Sequence, residues 1–279
     1  MNAKVLMFHR VLPKSKFGGI NAYKDRGTLI SESFFESIIK KIITSKKRVL
    51  TLLDYHILQE KNEINSNDLV LTFDDGYKDN FEYVLPILEK YHLKATFYPT
   101  LKYCFEGNSS PLDAYYSIGD QLALDLEQRQ DWITGEQKKH FLSLNYAGQK
   151  EFNHFLSKKH RKTPTNKALY MSVEQLKQLL SLGHEIGAHS YHHPILTQMS
   201  PEDLMEELAR TANCLDLLGL PRDRTFAYPD GVYSEPIISK LKQEGYLSAC
   251  TVEAKPVHSY QPFKIPRLFI HPDYDLTAI

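Results

Sequence analysis

The chain has 279 residues, and its 34 Lys and Arg balance 34 Asp and Glu, so the formal net charge is zero. That balance excludes a global attraction to nucleic acid. An apolar content of 42% with 24% charged residues is ordinary for a soluble globular protein, and no stretch approaches transmembrane length.

The elements alternate along the chain. Val5–Phe8 reads as a strand, and the apolar run within Met1–Arg10 is too short for a signal peptide. Ser31 caps a helix to about Ser45, with Phe34, Phe35, Ile38, Ile39, Ile42 and Ile43 recurring near helical spacing. Leu69–Phe73 is a buried strand. Tyr77–Tyr91 is helical, kinked or divided at Pro86. Ala95–Pro99 is the next strand. Residues 101–168 break the rhythm and read as a mostly helical insertion, with one helix near Gln137–Leu156. The insertion carries Lys158-Lys159-His160-Arg161-Lys162, either a solvated basic loop or a contact for phosphates or a membrane surface. Ser172-Val173-Glu174-Gln175 is a capping box opening a helix that Gly183 ends. Glu185–Ala188 is a strand. Ser200-Pro201 opens a helix ended by Gly219. Thr225–Tyr228 is a strand, Ser234 caps a helix stopping before Gly245, and Leu247–Val252 and Ile265–His271 are late strands. Repeated strand-then-helix units predict an α/β fold, a mostly parallel sheet closed or nearly closed into a barrel, as one domain over residues 1–279. The three cysteines, Cys104, Cys214 and Cys250, are widely spaced and odd in number, which fits buried thiols in a reducing compartment. The expectation is a cytoplasmic protein.

Two segments carry chemistry. Leu69–Phe73 ends in Asp74-Asp75-Gly76, and Glu185–Ala188 leads into His189-Ser190-Tyr191-His192-His193. Catalytic groups in barrels of this kind come from the C-terminal ends of strands, and both segments sit there. One carboxylate with two histidines is a ligand set for a catalytic divalent metal with open positions. The remaining carboxylate is free to act as a general base. Adjacent strand residues face opposite ways, so Asp74 and Asp75 reach one centre only where the backbone turns, which Gly76 permits. His192 is the rival ligand, disfavoured by its adjacency to His193. Together the segments point to metal-assisted hydrolysis.

These residues resemble the polysaccharide deacetylase family, also called carbohydrate esterase family 4 or the NodB homology domain. Its T-F-D-D-G motif stands unchanged at Thr72–Gly76, and its H-[ST]-x-x-H motif stands at His189–His193. A third, R-x-P-[YF], is partly kept at Phe226–Gly231. The resemblance covers residues 69–99 and 171–252 at least. It implies an irregular (β/α) barrel of about seven strands. Asp75, His189 and His193 would hold a divalent metal, zinc ahead of cobalt, nickel or manganese, and Asp74 would be the base. A backbone N–H at Asp230 would face the oxyanion. The family's arginine beside the base falls on Ala227, and Arg267 on the last strand could replace it. An L-x-H motif would place the catalytic acid at His271, with His9 as competitor, and Arg267 and His271 share a strand face by even separation. Tyr228, Pro229, Asp230 and His9 complete the substrate site, and Tyr191 and Trp132 either stack on sugars or pack in the core. The implied activity removes acetyl from an N-acetylamino sugar, in a glycan or an activated or lipid-linked sugar, for surface polysaccharide synthesis. The partner is a carbohydrate, with peripheral membrane contact allowed and the oligomeric state open. Alternatives are a sugar deformylase or related C–N hydrolase, and an inactive glycan-binding module.

Overall fold

Apolar residues alternate in facing along the predicted strands, and this alternation builds two cores around one curled sheet. The computed structural model describes residues 4–17, 22–165, 169–220, 222–252 and 260–278. Its strands are β1 (Lys4–Phe8), β2 (Arg10–Leu12), β3 (Leu29–Ser31), β4 (Arg48–Leu50), β5 (Asp68–Asp75), β6 (Thr96–Pro99), β7 (Glu185–Ile186), β8 (Arg224–Ala227), β9 (Tyr246–Cys250) and β10 (Leu268–Phe269). Every pairing between them is parallel. The order β10-β1-β5-β6-β7 continues through an Ala188–Phe226 bridge to β8 and β9. A Cys250–Ile265 bridge then leads into the segment carrying β10. The ring is therefore a (β/α) barrel of seven parallel strands. β4 pairs only with the start of β5, and β2 with β3 outside the ring.

Leu69, Leu71 and Phe73 face outward onto helix Glu32–Thr44, where Phe35, Ile38, Ile39 and Ile42 are buried. Val70 faces inward with Val5, Tyr98, Ala227, Cys250 and Ile265, and Leu52 and Tyr55 of helix Leu52–Glu60 pack on this inner cluster. The same alternation sends Thr72 and Asp74 inward above Val70.

Helix entries follow their caps. Ser31 accepts from Phe34 N at 3.1 Å, Ser172 forms a capping box with Gln175, and Ser200 accepts from Asp203 N. Ser234 precedes helix Glu235–Gln243 without a side-chain cap bond. A wide turn at Asn80–Val84 and a helix at Leu85–Lys90 divide the 77–91 stretch, with Pro86 in the first turn, where its missing N–H costs nothing. Residues 101–165 hold five described helices: Leu101–Glu106, Pro111–Asp120, Leu126–Thr134, Glu136–Ser143 and Tyr146–His160. The single helix expected near Gln137–Leu156 is two, because Asn145 caps a new start by accepting from Gly148 N. The last strand is also shorter than expected. Ile265 bridges to β9, Pro266 has no N–H to donate, and only Leu268–Phe269 pairs with β1. Among the described residues no helix is long and apolar enough to cross a membrane.

Candidate metal centre and active site

Asp74 and Asp75 share one site because the backbone reverses between them. Asp75 has φ 70° and Gly76 φ 82°, and Gly76 N–H donates to Asp74 O at 2.9 Å. Left-handed φ at a non-glycine residue is costly, and Ser190, His193 and Asp230 adopt it too. All four lie on the loops that meet above the barrel.

His189 follows the end of β7. Its Nδ1 hydrogen-bonds Ala227 O at 2.7 Å, which leaves Nε2 as a lone-pair donor. Burial lowers its pKa to about 4 against the pull of Asp74, so the ring is neutral, as ligation requires. Asp75 Oδ1 lies 3.7 Å from His189 Nε2 and 3.6 Å from His193 Nε2. Ligands about 2.1 Å from one tetrahedral ion would stand roughly 3.4 Å apart. The three side chains therefore fit a zinc-sized cation. They are the one group of metal-ligand character found among the described residues.

His192 is turned away. Its Nδ1 meets Glu207 Oε2 at 2.7 Å, and Glu207 Oε1 accepts from the backbone N–H groups of Tyr191 and His192. Glu207, buried on helix Pro201–Leu217, thus clamps the loop that carries both histidine ligands. Nothing in the sequence pattern marks it.

Asp74 is 2% exposed and Arg267 1% exposed. The Arg267 guanidinium is bidentate on it, Nη1 to Oδ1 at 2.6 Å and Nη2 to Oδ2 at 2.7 Å. Nε of Arg267 donates to Thr251 O at 3.0 Å. Burial alone would raise the Asp74 pKa, but the charge and hydrogen bonds of Arg267, joined by the charges of His189 and His9, bring it down to about 2. The cation absent at Ala227 comes from the last strand, and Ala227 instead contributes a carbonyl to His189.

A cavity of about 270 Å³ opens over these groups and is lined by His9, Asp74, Asp75, His189, His193 and Asp230, among others. His9, at the C-terminal end of β1, has Nδ1 buried without a hydrogen-bond partner among the described residues. Its ring stands edge-on to Phe269 at 5.6 Å. Burial lowers its pKa, opposed by the charges of Asp75 and Asp74.

His271 requires a correction. The chain leaves β10 after Phe269, so even separation from Arg267 no longer sets its direction. Its Nδ1 accepts from Asp273 N at 3.2 Å, it packs beside Phe269 and Tyr274, and it does not line the cavity. Tyr228 lines the cavity but is fully buried, its hydroxyl donating to Phe263 O. Pro229 is buried and does not line the cavity, while Asp230 does. Trp132 is core, stacked on Tyr115 within the insertion. Tyr191 is half-buried and donates to Glu106.

The insertion supplies a wall that sequence reasoning missed. Asp113 accepts from Tyr77 at 3.1 Å, from Tyr170 at 2.5 Å and from Tyr23, three phenols that line the cavity. Arg26 and Lys138 both donate to the Tyr116 hydroxyl, at 2.6 and 2.9 Å.

At the strand ends of a (β/α) barrel, two histidines and one aspartate converge beside a buried, arginine-held carboxylate, a donor set that suits a divalent cation. Residues 61–249 match the polysaccharide deacetylase family, and the chain belongs to it. It is 23% identical to YxkH of Bacillus subtilis over 220 residues, covering 78% of this chain and 57% of that protein. It is 22% identical to the poly-β-1,6-N-acetyl-D-glucosamine N-deacetylase of Staphylococcus aureus over 245 residues, covering 88% of this chain and 68% of that one. The chain thus spans little more than half the length of YxkH. Among solved structures, it aligns with the Streptococcus pyogenes deacetylase PplD, in complex with acetate, with a TM-score of 0.67 and 17% identity, covering 99% of this chain and 96% of that one.

Proposed function

We propose that this protein is a metal-dependent N-deacetylase of an N-acetylamino sugar, acting in surface polysaccharide synthesis. The observation that carries the reading is the Asp75–His189–His193 triangle beside the Asp74–Arg267 pair. Asp75, His189 and His193 would hold the ion, for which zinc suits two imidazoles and a carboxylate. When bound, the ion supplies Lewis acidity and a water of lowered pKa.

Around it, the chain's own residues divide the work. Asp74, ionised and fixed by Arg267, accepts the proton of the attacking water. His9 faces the same cavity and hands a proton to the departing amine. Burial lowers its pKa, so His9 is neutral at rest, and the proton it passes to the amine is the one released by the attacking water. The left-handed turn at Asp230 presents backbone to the developing oxyanion. The aromatic walls from Tyr77, Tyr116 and Phe141 suit sugar faces. The Staphylococcus aureus relative, named for deacetylating poly-β-1,6-N-acetyl-D-glucosamine, supports an N-acetylated amino sugar as substrate. The free, buried cysteines support a reducing compartment, and we place the reaction in the cytoplasm.

The test is metal analysis joined to an acetate-release assay on N-acetylated saccharides. The protein should hold close to one ion per chain, and His189→Ala should lose most of it. Asp74→Asn should keep the metal and lose turnover by roughly 10²–10⁴. Full metal in His189→Ala would refute the site, and absence of acetate release from every N-acetylamino sugar by the loaded protein would refute the activity. Formate in place of acetate would identify a deformylase.

A further inference from the structure

Helix Tyr146–His160 carries Lys150, His154 and Lys158 at four-residue intervals, and Lys162 continues the spacing just beyond its end. Such spacing stacks side chains in one stripe, where like charges repel. With Arg161 they line a groove of about 880 Å³, and no Asp or Glu is among its described lining residues. Among the described residues none of Lys150, Lys158, Arg161 and Lys162 forms an ion pair. The chain as a whole is neutral, so this concentration is local.

The groove adjoins the active cavity. Ser110 and Pro111 line both. Asn153, in the groove, donates Nδ2 to Pro111 O at 2.7 Å, and its buried Oδ1 has no partner among the described residues. Resting on the deacetylase reading above, we infer that the substrate is a phosphate-bearing saccharide, its acylated amine at the metal centre and its phosphate in this groove. Four cations exceed what one carboxylate would neutralise, and the several oxygens of a phosphate can meet separate lysines at once. A bilayer is flat on this scale and does not enter a concave groove, which favours the substrate's own phosphate over a lipid headgroup.

The test uses full-length, metal-loaded Asp74→Asn protein, so that binding is read without turnover. UDP-N-acetylglucosamine, whose diphosphate extends away from the acetylated amine, and N-acetylglucosamine are titrated at low ionic strength, with uridine as the control for the base. The phosphorylated sugar should bind at least tenfold tighter. Lys150→Gln/Lys158→Gln/Lys162→Gln in the same background should lose that preference while keeping its metal content, and 0.5 M salt should erode it in the parent through screening. Equal binding of the two sugars by the parent, or an undiminished preference in the triple variant, overturns the inference. So does cation-dependent sedimentation with phosphatidylglycerol vesicles in place of any sugar-phosphate preference, which would give the groove to a membrane. Because this readout needs no acetate release, its failure is separable from failure of the deacetylase reading.

Discussion

Arg267 is the largest influence keeping Asp74 ionised against burial, with His189 and His9 adding to it. Replacing Arg267 by Met leaves a buried carboxylate with no cation, and breaking such a pair costs about 3–5 kcal/mol. Arg267→Met should therefore lower the urea midpoint and turnover together while metal content holds; unchanged stability would show that the pair does not hold the site. The two candidate acids separate as cleanly. His9→Gln should cut turnover by roughly 10²–10⁴, the range for a lost general acid. His271→Ala should leave it within about twofold, since His271 does not line the cavity and its ring engages Asp273, Phe269 and Tyr274. Acetate release from both variants decides it, and the reverse pattern would return the role to His271. Arg267 was legible from sequence because Ile265 and Arg267 share an inward face whatever happens beyond them. His271 was not, since parity fails once a strand ends. Glu207 and the Ala227 carbonyl left no signal at all: one is a helix carboxylate among many, the other is backbone.

At the scale of elements, the insertion is held by aromatic packing around a buried lysine. Lys138 is 3% exposed and lies over the Tyr116 ring at 4.4 Å. Burial brings its pKa down to about 6, with Arg26 pushing the same way and Asp230 and Asp113 opposing. The unfolded chain keeps Lys138 protonated to about pH 10. Between about pH 6 and 10 the unfolded state thus binds more protons, and stability rises with pH across that window. Lys138→Met should flatten the rise, which thermal melts at pH 6, 7.5 and 9 would show; parallel curves for parent and variant would count against it. Helices announced by Ser31, Ser172 and Ser200 were readable because a cap is a local bond. The break at Leu144 was not, because Asn145 reads equally well as a polar helix residue until its side chain is seen accepting from Gly148 N.

The barrel closes through thin joints, and the site depends on them. Between β7 and β8 the ring is held by a bridge at Ala188, next to Gly187. A Cβ on Gly187 would collide with the Tyr98 ring and with Thr225 Oγ1. Gly187→Ala should destabilise the fold by about 1–3 kcal/mol, the usual cost of overpacking, and weaken metal binding, because His189 stands two residues on. Metal content and the melting midpoint, measured together, check it; normal values for both would mean the joint yields. The sequence motifs located the ends of β5 and β7, but closure rests on single bridges that carry no pattern.

The pairing of Asp74 with Arg267 sets an order of events. The base lies on β5 and its cation just before β10, 193 residues later in the chain. As the chain emerges from the ribosome, β5, β6 and the metal-ligand loop can all be made while Asp74 still has no partner. A desolvated carboxylate disfavours burial, so the upper barrel stays open to water until Ile265–Phe269 arrives. The pair that fixes the carboxylate therefore forms only after both metal-ligand segments have been made.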